Sequence, residues 1–251
     1  MQNNFYNKSL IINVLEKPNK NSNITSQIIY GEKFKVLSKN KNYYKVKNFY
    51  DGYIGYINKK VKLNKLFIPT HKIKTLKSQI YIGTDNNKKK SSNKFLPFGS
   101  KLQIIRKNKS FVMFEKNQWV KFNDICLISN KEKNFIKIFK LFINCPYKWG
   151  GKTFDGIDCS ALLQVYYNYN NKFFPRDTRD QINQKKKFKS TSKFKKGDII
   201  FWKGHVAICL NSKNLIHAYG PRKKVVIMPI KKTIKKIERT AKLEIKKVFK
   251  I

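Results

Sequence analysis

Along the first half of the chain, apolar and polar residues alternate in short runs separated by Gly, Asn and Asp. QIIYGEKFKVL (27–37), NYYKVK (42–47) and DGYIGYI (51–57) carry this period of two, which is that of half-buried antiparallel strands. A fainter copy follows at an offset of 68 residues. It places Gly99 on Gly31, Leu102 on Phe34, Ile104 on Val36 and Ile105 on Leu37 within FGSKLQII, and SFVMFE and QWVKF continue it. Repetition on this scale predicts two small all-β barrels of about 65 residues each.

After Asn130 the period lengthens. NFIKIFKLFINC (134–145) spaces Phe135, Ile138, Phe139 and Phe142 as a helix that ends before Pro146. A Gly-rich stretch, WGGKTFDGID, follows, with Trp149, Gly150 and Gly151 reading as a tight turn closed by an aromatic plug. CSALLQVYYNYN then gives a second helix through Leu162, Leu163, Val165, Tyr166 and Tyr169. GDIIFW, HVAICL, NLIHAYG and KVVIMPI are apolar runs broken by Gly, Asn and Pro, and predict consecutive antiparallel strands. The terminal KKTIKKIERTAKLEIKKVF predicts a helix or strand with a solvated lysine face. Helix, helix, then sheet is an α+β layout. The expected domains are residues 1–66, 67–131 and 132–251.

Composition adds limits. The 251 residues carry 56 Lys+Arg against 14 Asp+Glu, a formal net charge of +42. Hydrophobic residues still make up 41% and aromatics 14%, which excludes a disordered basic tail. Only five residues are arginine (Arg106, Arg176, Arg179, Arg222 and Arg239), and lysine supplies the other 51 positive charges. Readers of nucleic acid lean on bidentate Arg, so the charge points to a Lys-, Asn- and Ile-rich composition rather than to a specific nucleic-acid partner. No stretch approaches the roughly 20 apolar residues of a membrane span. The N-terminus shows no basic start, apolar core and cleavage site, so a cytoplasmic location is expected. Cys126, Cys145, Cys159 and Cys209 have no CxxC spacing, which fits a reducing compartment better than a disulfide framework and offers no metal site.

Cys159 stands where a turn meets a helix. Asp158 is the expected N-cap, and the helix dipole at that end favours a thiolate. Such a nucleophile needs a base, and His205 and His217 lie twelve residues apart on neighbouring expected strands. Parity decides whether they can cooperate. A four-residue loop (211–214) would send His217 to the face opposite His205, whereas a loop of three or five residues would set it opposite Ala207 or Cys209, on His205's face. Cys126, Cys145 and Cys209 read as buried small hydrophobes, and His71 as exposed in a basic loop.

The joint pattern resembles a known family. PYKWGGKTFDGIDCSALLQ (146–164), FPRDTRDQ (174–181), KKGDIIFW (195–202), GHVAICL (204–210) and NLIHAYG (214–220) are similar in order and spacing to NlpC-type cell-wall cysteine peptidases, a papain-like family. SQIIYGEKFKVL with DGYIGYI resembles the bacterial SH3-like domain of a subgroup that cleaves γ-D-glutamyl-L-diamino-acid bonds, and FPRDT resembles that subgroup's LPRDS. The resemblance implies a papain-like α+β domain, helices on an antiparallel sheet, behind two SH3-like barrels. It implies Cys159 as nucleophile, His205 as base, His217 as the residue orienting the base, and Tyr147 in the oxyanion hole. Asp158, Ser160, Asp177 and Thr178 would line the substrate site, with Tyr53 contributing from the first barrel. The implied partner is a murein peptide with a free N-terminal L-Ala, met in muropeptide recycling, and no cofactor is called for. The chain departs from the pattern at Ala161, Cys145 and Asn23, which stand where Gly, another small residue and an acidic residue are usual. The rival readings are a lapsed wall-binding scaffold, an amidase or acyltransferase on the same fold, and a charge-driven nucleic-acid binder.

Overall fold

The computed structural model describes residues 4–84, 89–184 and 193–251. They divide into two units, residues 1–131 with 169–171 and residues 132–168 with 172–251. No described helix is long and apolar enough to cross a membrane.

In the first unit, β1 (Asn4–Tyr6), β2 (Ile11–Leu15), β3 (Ile24–Ile29), β4 (Lys33–Lys39), β5 (Tyr43–Asn48) and β6 (Ile54–Asn58) form one sheet in the order β1-β4-β5-β6-β2-β3. Alternation along these strands puts Ile12, Val14, Phe34, Val36, Val46 and Ile57 into one buried cluster. The next strands are β7 (His71–Ile73), β8 (Lys77–Ile82), β9 (Lys90–Pro97), β10 (Lys101–Leu102), β11 (Arg106–Lys107), β12 (Phe111–Glu115), β13 (Gln118–Lys121) and β14 (Ile125–Leu127). They make the sheets β10-β7-β14 and β11-β12-β13-β8-β9.

The internal repeat has a conformational basis. Gly31 (φ 78°) and Gly99 (φ 80°) both turn in the left-handed region, which side chains disfavour. Each is followed by the same closing bond, from Glu32 N–H to Ile29 O and from Ser100 N–H to Pro97 O. The copies also share a core: Tyr30 packs with Phe67, Leu102 and Phe114, and its hydroxyl donates to Glu115 at 2.6 Å. His71 is a correction to the loop expected there. It is half-buried in the middle strand of a sheet, paired with Leu102 and Leu127.

The second unit opens with α1 (Phe135–Leu141), whose Asn134 side chain accepts from Ile136 N–H. The helix stops four residues before the expected point because Asn144 takes φ 65° and the chain turns to pair with Val225. The Gly-rich stretch is a hairpin, β15 (Lys152–Thr153) with β16 (Gly156–Ile157). Trp149 is exposed rather than a plug.

Next come α2 (Cys159–Tyr169), the single turn α3 (Thr178–Gln181), β17 (Asp198–Trp202), β18 (His205–Cys209), β19 (Asn214–Tyr219), β20 (Lys224–Pro229), α4 (Ile230–Ala241) and β21 (Lys247–Lys250). The sheet runs β20-β19-β18-β17-β21 with antiparallel neighbours. The C-terminal segment is therefore both helix and strand. α4 lays Ile230 and Ile237 on a core of Ile200, Trp202, Ala207, Leu215 and Val248, leaving its lysines outside. α2 is buried nearly all round, including Ala161 and Gln164 at 0% exposure, so it is a central helix rather than an amphipathic surface one.

Candidate active site

α2 begins at Cys159, and the residue before it fixes that start. One Asp158 oxygen accepts from Ala161 N–H at 2.8 Å, the expected N-cap bond, and from the Ser160 hydroxyl at 2.9 Å. The other accepts from Gly150 N–H at 3.0 Å. Arg176 closes the network from FPRDT. Its two terminal nitrogens donate to the two carboxylate oxygens at 3.0 and 2.5 Å, and one also reaches the Ser160 hydroxyl at 2.9 Å. All three side chains are buried. A carboxylate so fully engaged has little capacity left for a ligand. Asp158 and Ser160 thus brace the helix start through this network.

Two chain turns deliver the imidazoles. β17 and β18 meet in a two-residue turn, with Trp202 opposite His205, and the turn needs Gly204 at φ 75°. β18 and β19 pair Cys209 with Leu215 and Ile208 with Ile216. The connection is closed by Leu210 N–H to Asn214 O, leaving three residues, 211–213, in the loop. Asn211 braces it by accepting from Lys213 and Asn214 N–H, each at 2.8 Å. This is the odd connection, and the next position in register sets His217 opposite Ala207, on the face of His205. Nε2 of His205 and Nδ1 of His217 lie 2.9 Å apart. His217 stacks on Tyr219 with centroids 4.5 Å apart and ring planes within 10°, and its Nε2 faces Met228 Sδ at 3.4 Å.

The thiol sits against the start of β18. Cys159 Sγ is 4.0 Å from Gly204 O, and the backbone N–H groups of Val206 and Ser160 are directed at it. Gly204 and Val206 flank His205, so the sulfur and the imidazole belong to the same corner. With Nε2 of His205 engaged by His217, Nδ1 is the nitrogen left for the thiol proton.

Burial sets the resting charge. It pushes the Cys159 thiol up to about 12, with Asp158 adding to the rise, against smaller lowering effects from the Val206 N–H, Arg176 and the Ser160 N–H. It pulls His205 down to about 4 and His217 to about 2, the second helped by His205. The helix dipole invoked for a standing thiolate is outweighed by desolvation. Desolvation therefore favours the neutral thiol and the neutral imidazole, so that the proton passes between them as the sulfur attacks.

Tyr147 is half-buried with its ring against Gly220, and its N–H donates to Lys223 O at 2.8 Å. Burial first, then the field of Cys159, raises its hydroxyl, which stays a proton donor close to the sulfur. Asp177 caps α3 without a side-chain bond and is partly exposed, 3.9 Å from Arg179. Burial raises its carboxyl, with Arg176 and Arg179 opposing. Thr178 begins α3. Tyr53 belongs to the other unit, where it packs against the buried cluster of Ile12, Val14, Phe34, Val36, Val46 and Ile57.

Arg176, Gln181 and Met228 were not singled out as site residues from sequence. Arg176 had a faint signal, arginine in a lysine background. Gln181, which donates to Ser160 O and Pro175 O at 2.9 Å, and Met228 had none. All four cysteines are free, and the described residues contain no group of three or more His, Cys, Asp or Glu able to hold a metal ion.

Residues 144–242 match the NlpC/P60 family, and residues 9–61 match the bacterial SH3 domain. The gamma-D-glutamyl-L-lysine dipeptidyl-peptidase of Bacillus subtilis (strain 168) is 24% identical over 84% of this chain and 77% of its own. Dipeptidyl-peptidase 6 of Lysinibacillus sphaericus is 36% identical over 34% of this chain, so the chain spans about a third of that relative (32%). A crystal structure of an NlpC/P60 family protein from Bacillus cereus ATCC 10987 superposes with a TM-score of 0.77 at 18% identity, covering 90% of this chain and 94% of that one. That likeness establishes the fold: a sheet-rich SH3-like N-terminal region followed by a papain-like α+β domain.

Proposed function

We propose that this chain, in which residues 144–242 form an NlpC/P60 domain and residues 9–61 a bacterial SH3 domain, is a cysteine peptidase that hydrolyses the γ-D-glutamyl bond to the diamino acid of murein peptides. The observation that carries this reading is the 2.9 Å His205–His217 bond, with Cys159 Sγ 4.0 Å from the carbonyl oxygen of Gly204, the residue before His205.

The arrangement suits acyl transfer. Cys159 Sγ attacks the γ-carbonyl of D-Glu while its proton passes to His205 Nδ1. The Tyr147 hydroxyl and the Cys159 backbone N–H are the donors for the oxyanion. Collapse breaks the C–N bond, the diamino acid's amine leaves with the proton from His205, and a thioester remains. His205 then takes a proton from water, hydroxide equivalents attack the thioester, and L-Ala-γ-D-Glu departs as the thiol is restored.

The B. subtilis relative's name and Asp177 support this choice of substrate class. A free α-ammonium drawn from water needs a carboxylate partner. Asp177 is half-buried, next to the Arg176–Asp158 pair that is already satisfied, and its carboxylate suits the L-Ala amine. Thr178 joins it in this reading, and breakdown of released muropeptides is the role that such a requirement fits.

The test compares L-Ala-γ-D-Glu-meso-diaminopimelate with its N-acetylated form and with the α-L-Glu isomer. Cleavage of the first, with rates on the order of 10²-fold lower for the others, supports the reading. Equal cleavage of all three, or release of ammonia or an acyl-transfer product in place of the dipeptide, overturns it.

A further inference from the structure

Proton transfer from the thiol requires a lone pair on His205 Nδ1, and two neutral arrangements of the paired imidazoles satisfy the 2.9 Å bond between them. In one, His205 holds its proton on Nε2 and His217 holds its own on Nε2, so His205 Nδ1 is free to accept. In the other, both protons sit on Nδ1; His205 then points an N–H at the sulfur and cannot act as a base. Which arrangement wins depends on what faces His217 Nε2, since the partner of one ring nitrogen sets the proton on the other.

That partner is Met228 Sδ at 3.4 Å. A thioether has lone pairs and no hydrogen to donate. In the first arrangement it accepts the His217 Nε2–H; in the second it turns lone pairs toward a lone pair, in a site where His217 is 1% exposed. Register explains the placement. β19 and β20 pair His217 with Val226 and Leu215 with Met228, so Met228 is the diagonal neighbour of His217 on the same face. Stacking on Tyr219 fixes the plane of the ring. Burial keeps His217 neutral, which makes the choice of tautomer consequential.

We propose that Met228 is a positioning residue: through the Nε2–H···Sδ contact it holds His217 in the Nε2–H tautomer and so leaves His205 Nδ1 free for the Cys159 proton. The catalytic half of this statement rests on the peptidase reading above. The tautomer half does not.

Long-range ¹H–¹⁵N spectra of histidine-labelled protein at neutral pH read the tautomer directly, and steady-state kinetics read its consequence. Wild type and selenomethionine-substituted protein, which keep a chalcogen acceptor, should both show His217 protonated at Nε2. In Met228→Leu the Nδ1–H form should gain population and kcat should fall several-fold with KM nearly unchanged, the scale of one weak hydrogen bond. If Met228→Leu does not fold, protein with norleucine at all three methionines removes the sulfur at constant shape and decides instead. His217 protonated at Nδ1 in wild type, or a tautomer and kcat indifferent to loss of the sulfur, overturns the proposal. A protein whose tautomer shifts as stated but which cleaves no muropeptide supports the positioning and overturns the peptidase reading.

Discussion

His205 Nε2 and His217 Nδ1 lie 2.9 Å apart although twelve residues separate them, because a three-residue loop keeps both side chains on one face of the β18–β19 hairpin. The two imidazoles then have unequal tasks. His205→Ala removes the base and should lower kcat by about 10²- to 10⁴-fold. His217→Ala leaves a base without its orienting partner and should cost less, on the order of 10-fold to 10²-fold. Steady-state kinetics on both variants checks the order.

Burial of the histidines has a defined sign in pH. A base works unprotonated, so depression of His205 to about 4 moves the acid limb of kcat/KM well below the ordinary histidine range. Activity should hold from pH 8 to about 5 and fall only below that. Stability moves the opposite way. The unfolded chain binds protons at His205 and His217 below about pH 6.5 while the folded chain does not, so acidification should destabilise by up to about 1.4 kcal/mol per pH unit for each of the two. Thermal melting between pH 7 and 5 should show the decline, and His217→Leu should flatten it.

Arg176 and Asp158 form a buried pair that anchors both α2 and the FPRDT segment. Asp158→Asn leaves the guanidinium without its charge partner and should cost about 3–5 kcal/mol. Arg176→Lys, which cannot reproduce the bidentate fork, should also destabilise. Denaturant unfolding measures each; a change below 1 kcal/mol in both would remove the bracing role.

Tyr147 keeps its proton under all ordinary conditions, its hydroxyl being raised by burial and by Cys159. Tyr147→Phe should therefore reduce kcat by roughly 10²-fold with little change in KM, as for loss of one oxyanion donor. A change confined to KM would assign the ring to substrate binding instead.

Asp177 is the acid near the site with carboxylate capacity to spare. Asp177→Asn should raise KM about 10-fold or more for peptides with a free N-terminal L-Ala and leave N-acetylated peptides unaffected. Competition assays with the two peptides separate these outcomes.

Much of the arrangement was legible in the residues. Period-two and helical spacing located β4–β6, β12, β13, β17–β20 and the helices α1 and α2, and parity alone tied the loop length to the shared face of His205 and His217. What escaped depends on long-range partners. The early end of α1 is set by Asn144 and by pairing with Val225, eighty residues downstream. Saturation of Asp158 needs Arg176 to fold back across eighteen residues. The upward push on the Cys159 thiol follows from how deeply it is enclosed, which a helix-start pattern does not contain. Met228 reaches His217 only through the β19–β20 register.

The most direct test of the central claim is mass spectrometry of the products from L-Ala-γ-D-Glu-meso-diaminopimelate incubated with wild type and with Cys159→Ala. Wild type should release L-Ala-γ-D-Glu and free diaminopimelate in equal amounts, and Cys159→Ala neither. A folded wild type that releases no dipeptide, or a Cys159→Ala variant that still does, would contradict it.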